Sequence, residues 1–253
     1  MKNEQKIKDC WDKLVLEYDL KNNQKWFWSN PVVWASEIEQ RVSDCRRILD
    51  VGCGAGALSI PLSTNFDVTS LDFSLNMLLQ LKTRRDELEA VVEMINADTH
   101  NIPFKDDSFD AVICRYAIWP LSDPQCAIEE IARVCRKKVV IIEGDWYKNN
   151  GKPTMRQKIF GKPFYKLYNY YYRVTTGRNP NKHFKEMREY HQSSTSAEKI
   201  TNWLDECGVA IKEVDYSIKE RILTKKSRAL QWITGYNEGT FILTGEKDAD
   251  DTR

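Results

Sequence analysis

The feature that most constrains the fold is a short apolar run that ends in a cluster of glycines, RILDVGCGAGA over residues 47–57. Its first part is typical of a buried strand. Glycine lets a chain turn tightly at the end of a strand, because no Cβ blocks the approach of backbone to a ligand. When a helix follows at once, its first N–H groups are unpaired and attract an anionic part of that ligand. The run therefore predicts a strand, a glycine turn and a helix around a binding site.

Strand-like and helix-like stretches alternate along the rest of the chain. Seven runs are predicted as strands, over 47–51, 66–74, 91–98, 109–117, 138–146, 211–223 and 240–247. Helices are predicted over 5–18, 75–90, 123–137 and 196–207. This alternation is typical of a mostly parallel sheet covered by helices on both faces. Because no convincing helix separates the last two strands, we expect a doubly wound, Rossmann-like α/β fold with one antiparallel edge strand and an added N-terminal helix.

Charge and cysteine usage exclude several classes of protein. The 253 residues include 38 Lys and Arg against 37 Asp and Glu, so a net charge of +1 offers no global field for nucleic acid or a membrane. No apolar stretch reaches the ~18 residues of a membrane span, and the N-terminus lacks the apolar core of a signal peptide. Seven scattered cysteines without a C-x-x-C pair predict reduced thiols, a cytoplasmic location and no metal site.

A basic and aromatic segment lies between the fifth predicted strand and the 196–207 helix. Residues 152–188 include ten Lys or Arg, one acid and eight aromatic residues. This composition suits an amphipathic lid with its aromatic side chains turned inward. It also suits a surface for nucleic acid, for an anionic metabolite or for a membrane, and the near-neutral total charge weighs against nucleic acid. We predict an insertion on the ligand-binding side of the sheet.

Carboxylates at the predicted strand ends narrow the choice of ligand. Asp72 ends the second strand, where a carboxylate can accept both hydroxyls of a ribose. Together with Ala57 the glycine turn also fits the G-x-G-x-x-A fingerprint of dinucleotide sites, so glycine spacing alone leaves two cofactor classes open. Asp50 places a negative charge where a pyrophosphate would be repelled and an α-amino group would be attracted. A further carboxylate, Asp98, ends the third strand.

Four stretches in this order, ILDVGCGAG, LDFSLNML, INADTHNIPF and SFDAVICRYA, resemble the class I S-adenosylmethionine-dependent methyltransferases. The similarity is greatest to the small-molecule group that includes the ubiquinone- and menaquinone-type enzymes (methyltransferase type 11), and it covers about residues 8–146. The terminal FILTGEK resembles the last strand of that family. The resemblance implies S-adenosylmethionine as cofactor and methyl transfer to a small-molecule acceptor by in-line displacement, which depends on alignment of the reacting groups.

The resemblance also implies roles for individual residues. The glycine turn and Asp50 would face the methionine part of the cofactor, Asp72 would bind the ribose hydroxyls, and Asp98 would accept from the adenine amino group. The implied cofactor-binding residues are Tyr18, Trp28, Asp50, Gly52, Cys53, Gly54, Asp72, Phe73, Met77, Ala97, Asp98, Thr99 and Arg115.

The acceptor site is expected beyond the carboxyl ends of the strands. Tyr116, Trp119, Trp146 and His191 are predicted to bind the acceptor. His183 and Tyr147 are candidate catalytic residues, because an oxygen or nitrogen nucleophile can need a positioned base.

These assignments divide a single methyltransferase domain, 1–253, into an N-terminal helical lid (1–45), a cofactor-binding core (46–146 and 196–253) and an insertion that covers the substrate (147–195). Three other functions stay open on the sequence alone. They are an RNA methyltransferase that uses the basic insertion, an S-adenosylmethionine-binding partner protein without catalysis, and a nicotinamide-dependent dehydrogenase.

Overall fold

One sheet of seven strands forms the centre of the fold in the computed structural model. The structure describes residues 2–15, 31–145, 155, 157–176, 195–223, 228 and 239–247. The strands are β1 (Arg47–Val51), β2 (Asp67–Asp72), β3 (Val92–Asn96), β4 (Phe109–Arg115), β5 (Cys135–Asp145), β6 (Val209–Asp215) and β7 (Gly239–Lys247). Their order across the sheet is β3-β2-β1-β4-β5-β7-β6.

The strand directions determine where a ligand can bind. β1 to β5 pair in parallel, and β7 pairs antiparallel with both β5 and β6. The predicted doubly wound, mostly parallel sheet with an antiparallel strand at its edge region is therefore confirmed; β7 is that strand and lies next to the outermost strand β6. The winding of the chain reverses between β1 and β4, which opens a crevice at the carboxyl ends of these strands.

The helices of the described residues are α1 (Lys2–Leu14), α2 (Pro31–Arg41), α3 (Ser59–Leu62), α4 (Leu75–Glu87), α5 (Pro124–Val134), α6 (Lys162–Thr176), α7 (Ala197–Glu206) and α8 (Ile218–Ile222). Several of them cover the two faces of the sheet. A π-helix, Gln157–Gly161, directly precedes α6. Among the described residues, no helix is both long enough and apolar enough to cross a membrane.

The sheet separates two apolar cores. On one face α5 and α7 pack through Ile131 and Leu204, and on the other α2 and α8 pack through Ile38 and Ile218. Successive strand residues point to opposite faces, so Leu49 belongs to the first core and Ile48 to the second. Burial of β1 from both sides fixes the position of the glycine turn that follows it.

The structure corrects one predicted strand. The sequence predicts a strand over 211–223, but β6 ends at Asp215 and α8 follows. One carboxylate oxygen of Asp215 accepts hydrogen bonds from the backbone N–H and the hydroxyl of Ser217, both at 2.7 Å. This local bond competes with the strand ladder and turns the chain into the helix.

Candidate functional site

The glycine turn after β1 brings backbone to the floor of the crevice. Gly52 and Gly54 have φ values of +68° and +53°, in the left-handed region that favours glycine. A Cβ on Gly52 would lie 2.2 Å from the Cβ of Ala117, so the loop after β4 excludes a side chain there. A Cβ on Gly54 would have no heavy atom within 4 Å. The backbone at Gly54 is therefore open to the close approach of a ligand.

Asp72 fixes this turn from the end of β2. Its two carboxylate oxygens accept from the backbone N–H of Gly54 at 2.8 Å and of Ser74 at 2.9 Å. The side chain is buried, and burial raises the pKa of Asp72 from 3.8 to about 6 against the lowering effect of these two bonds. Each oxygen keeps acceptor capacity beyond its one bond, so the carboxylate can receive two further hydroxyl groups.

Asp50 is a second buried acid, one residue before the end of β1. Its Oδ2 accepts a hydrogen bond of 2.5 Å from the hydroxyl of Ser59 in α3. Burial raises the pKa of Asp50 to about 6, while the Ser59 bond and the positive charge of Arg115 act in the opposite direction. Arg115 ends the neighbouring strand β4, and its guanidinium carbon lies 5.8 Å from the centre of the Trp34 ring. The neighbouring strands β1 and β2 thus each carry, at or near their carboxyl ends, a buried carboxyl group with a pKa of about 6.

The loop after β3 carries a more exposed acid. Oδ1 of Asp98 accepts from the backbone N–H of His100 at 3.0 Å and lies 2.7 Å from Nδ1 of the His100 ring. These contacts, chiefly the one to the ring, hold the pKa of Asp98 below 3.8. Thr99 between them is buried. The loop therefore presents a charged, half-exposed carboxylate beside a fixed backbone segment.

Helix α1 lies along the opening on the α4 side. Ser74 caps α4 by accepting from the Met77 N–H at 3.2 Å, and its hydroxyl donates to Asp12 of α1 at 2.5 Å. Further along α4, the side-chain amide of Gln80 donates to the carbonyl of Val15 at 2.9 Å. Ser74, whose backbone N–H binds Asp72, thus also joins α1 to the start of α4.

A buried glutamate on β5 organises the opposite wall. Glu143 is fully buried, and its Oε2 accepts from the backbone N–H groups of Ile118 at 3.3 Å and Trp119 at 3.1 Å. Its Oε1 accepts from the Gly144 N–H at 3.0 Å. The carboxylate therefore accepts the backbone hydrogen bonds of the loop that follows β4, in place of backbone carbonyl groups.

That loop forms an aromatic wall together with α1. Trp119 is buried against Cys10, with Trp11 and Tyr116 packed around them. Tyr116 has a φ of +55°, and its hydroxyl lies 2.9 Å from the hydroxyl of Thr240 on β7. A left-handed tyrosine is uncommon, and it is over-determined here by bonds to two strands. One of them joins its own N–H to the Ile142 carbonyl at 2.8 Å.

The crevice gathers those predicted cofactor residues that the structure describes. Each lies at or beside a strand end or in the first turn of α4, namely Asp50, Gly52, Cys53, Gly54, Asp72, Phe73, Met77, Ala97, Asp98, Thr99 and Arg115. Tyr116 and Trp119 lie on the adjacent wall. The predicted roles of Tyr18, Trp28, Trp146, Tyr147, His183 and His191 fall outside the described residues. Within the described ranges, no group of three or more His, Cys, Asp or Glu residues is arranged to hold a metal ion.

Sequence reasoning missed four residues that position this site: Asp12, Ser59, Ser74 and Glu143. Ser74 could have been found from the sequence, because a serine directly before an apolar helix is a preferred N-cap. Glu143 could have been found too, since it directly follows the apolar run VVII, and an acid inside a buried strand is rare unless it is paired. Asp12 and Ser59 act through contacts across the fold that local sequence does not encode.

Comparison with known proteins finds similarity to methyltransferases. The family described as "Methyltransferase domain" matches residues 49–142. A phosphatidylethanolamine N-methyltransferase of Cereibacter sphaeroides is 40% identical over 101 residues, 38% of this chain and 49% of that protein. A demethylmenaquinone methyltransferase of Paenarthrobacter aurescens is 31% identical over 150 residues, 56% of each chain. This chain thus spans about half the length of these curated relatives.

Solved structures share the fold. The crystal structure of a SAM-dependent methyltransferase from Aquifex aeolicus matches with a TM-score of 0.58 over 94% of this chain and 98% of that chain. Its identity of 16% limits the likeness to the fold. The family match begins in β1 and ends in β5, so it includes the glycine turn, Asp72, Asp98 and Arg115.

Proposed function

We propose that this protein, whose residues 49–142 match the methyltransferase domain family, is a class I methyltransferase that binds S-adenosylmethionine and transfers its methyl group to a small-molecule acceptor. The observation that carries the proposal is the buried carboxylate of Asp72 beside the open backbone of Gly54. A carboxylate in that place is suited to the two hydroxyls of a ribose.

The other described residues fit the remaining parts of this cofactor. Asp50 supplies a buried negative charge beside the turn, which favours an α-amino group and disfavours the pyrophosphate of a dinucleotide. The exposed oxygen atoms of Asp98 suit an exocyclic amino group, and Met77 offers an apolar contact at the start of α4. When bound, S-adenosylmethionine supplies a methyl group on a positively charged sulfur. The residues of this chain align the acceptor with that methyl and exclude water.

We place the acceptor between α1 and the loop after β4. Trp119 and Tyr116 line that side, and Glu143 holds the loop through its backbone N–H groups. Residues 1–45 and 147–195 are proposed to cover the site, with Trp146 and His191 on the acceptor and His183 or Tyr147 as the base where one is needed.

All seven cysteines are free thiols, which supports a cytoplasmic location.

The test is transfer of a labelled methyl group to fractionated acceptors. The full chain is incubated with methyl-tritiated S-adenosylmethionine and, separately, with aqueous metabolites, extracted lipids, RNA and protein. We expect label in a small-molecule or lipid fraction, and about a tenfold or greater loss with Asp72→Asn. Asp67→Asn is the matched control, because Asp67 is an exposed acid at the other end of β2. Label in RNA instead would favour the RNA methyltransferase, and binding without label in any fraction would favour the partner protein.

A further inference from the structure

The outward side of α6 is an apolar surface flanked by positive charge, and we propose that it docks the protein on an anionic phospholipid membrane. We call this surface the α6 face and define it as Leu167, Tyr170, Tyr171 and Val174. These side chains are 66%, 68%, 64% and 66% exposed. Single exposed apolar residues are ordinary on a protein surface, but a contiguous group marks an interaction site.

Spacing places the four residues together. Positions 167, 170, 171 and 174 are related by three, four and seven residues, which is the repeat of one helix face. The apolar exposure continues into the preceding π-helix, where Ile159 and Phe160 are 54% and 59% exposed. Composition alone leaves open whether the aromatic side chains of this segment turn inward or face a partner, and Tyr170 and Tyr171 face the solvent in the structure.

Charge along the same segment selects an anionic partner. Residues 157–176 include Lys158, Lys162, Lys166 and Arg173 and no acid. Lys166 and Arg173 are exposed, and each directly precedes an apolar residue of the face, so both flank it on the same side. A helix with an apolar face and basic flanks lies in the plane of the lipid headgroups, with its apolar side chains in the acyl boundary. Basic residues near an anionic leaflet add electrostatic attraction that salt weakens.

The other occupants of such a surface fit less well. A helix of 15 residues is roughly 22 Å long, shorter than the ~30 Å of a bilayer core, so α6 lies on a membrane and does not cross it. Two of the four face residues, Leu167 and Val174, are aliphatic and give no stacking platform for bases. An antiparallel pairing of two α6 faces would bring Lys166 and Arg173 of both copies to the same side, where like charges oppose association.

The docking surface is independent of methyl transfer. If the protein docks on a membrane, its methyl-transfer site gains access to acceptors dissolved in the bilayer, and this consequence rests on the proposed function. The experiment therefore measures membrane binding without activity, and it measures S-adenosylhomocysteine binding separately for every variant. A failure of the proposed function would appear in the second measurement alone.

The test is co-sedimentation of the full chain with vesicles of phosphatidylcholine, either alone or with one quarter phosphatidylglycerol. We expect binding to the anionic vesicles that weakens with salt, and about a tenfold loss with the double variant Leu167→Glu and Tyr171→Glu. Leu88→Glu is the control, because Leu88 is 60% exposed just after α4 and outside the α6 face.

A second variant tests the contribution of charge. Lys166→Gln with Arg173→Gln should lower binding to anionic vesicles and reduce its salt dependence. This charge variant removes no apolar side chain, so it decides the matter if the double Glu variant does not fold.

Several outcomes would overturn the proposal. Wild-type protein that fails to sediment with anionic vesicles is one, and equal sedimentation of the wild type and folded α6 variants is another. Binding of RNA in place of vesicles would assign the face to nucleic acid. A dimer in light scattering that Leu167→Glu and Tyr171→Glu disperse, without vesicle binding, would assign it to a second copy.

Discussion

At the scale of single residues, Asp50 and Asp72 give the site its pH response. Burial raises the pKa of each carboxyl to about 6 from 3.8. An acid whose pKa is raised on folding holds a proton more strongly in the folded state, so protonation favours the folded state at low pH. This contribution to the free energy of unfolding is lost as the pH rises from about 4 through 6. By neutral pH the loss is of the order of 3 kcal/mol for each group. A ligand that binds both ionised carboxylates offsets that cost.

We predict proton release when the cofactor product binds. A cationic amino group and ribose hydroxyls favour the ionised carboxylates, so both pKa values should fall on binding. At pH 6, where each group is half protonated, S-adenosylhomocysteine binding should release about one proton in total, and at pH 8 nearly none. Calorimetric titrations in buffers of different ionisation enthalpy measure this number. Proton release that does not differ between pH 6 and pH 8 would show that these acids do not face the ligand.

Glu143 is predicted to position the acceptor wall through its carboxylate. Glu143→Gln keeps the shape but turns an amide N–H₂ toward one or more of the three backbone N–H groups. We expect a loss of about 1–3 kcal/mol in the free energy of unfolding, measured by urea denaturation. Glu129→Gln, an exposed acid on α5, is the control with an expected change near zero. Equal stability of wild type and Glu143→Gln would remove the positioning role.

At the scale of elements, α1 is predicted to retain the cofactor through one hydrogen bond. Asp12→Ala removes the acceptor of the Ser74 hydroxyl and should loosen α1 from α4. We expect S-adenosylhomocysteine to dissociate about fivefold faster, since such a bond contributes about 1 kcal/mol. Stopped-flow fluorescence measures the rate. Asp9→Ala is the control, because Asp9 accepts from Gln5 of the same helix at 2.9 Å, and an equal effect of both substitutions would contradict the prediction.

Elements with strong local patterns could be predicted from sequence, and elements defined by side-chain contacts could not. β1 and its glycine turn follow from apolar periodicity and from the conformational freedom of glycine. α8 does not, because IKEVDYSIKERIL has no clear break and the turn depends on the Asp215 carboxylate. The helix predicted over 196–207 begins one residue later, at Ala197, because Ser196 is its N-cap and accepts from the Lys199 N–H at 3.3 Å.

At the scale of the whole molecule, a charge network joins distant parts of the chain. Glu37 of α2 accepts from Arg41 at 3.0 Å and from Arg221 of α8 at 2.7 Å, and Arg221 also pairs with Asp215 at 2.5 Å. The Arg221 bond is the main reason that the pKa of Glu37 lies below 4.5. The contribution of Glu37 to stability is therefore present above pH 4.5 and is lost as the pH falls through its lowered pKa.

Arg221→Met should reduce both stability and acid sensitivity. Glu37 would lose its bonds from Arg221 and keep the one from Arg41, so we expect a loss of about 1–2 kcal/mol at pH 7 and a smaller further loss between pH 5 and pH 3. Urea denaturation at several pH values measures both effects. The control is Arg46→Met, since Arg46 pairs with Asp67 at an exposed site and should contribute under about 0.5 kcal/mol. Parallel pH profiles for wild type and Arg221→Met would contradict the role of the network.

The candidate site could be predicted only as far as its strand ends. Asp50, Asp72 and Asp98 follow strands, so parallel topology alone brings them to one edge. Glu143 and Asp12 depend on how a loop and a helix pack over that edge, which no spacing in the sequence encodes. The sequence left the role of the α6 segment open for a related reason. Composition indicates an amphipathic segment, but only the fold decides which side it turns to solvent.

The measurement that tests the central claim most directly is a calorimetric titration of the full chain with S-adenosylmethionine, S-adenosylhomocysteine and NAD at pH 7.5. We predict binding of both sulfur compounds and none of NAD, with affinity at least about thirtyfold weaker in Asp72→Asn, as expected for lost bonds to a buried charge, and unchanged in Asp67→Asn. Binding of NAD alone, or sulfur-ligand affinity that Asp72→Asn leaves intact, would contradict the account.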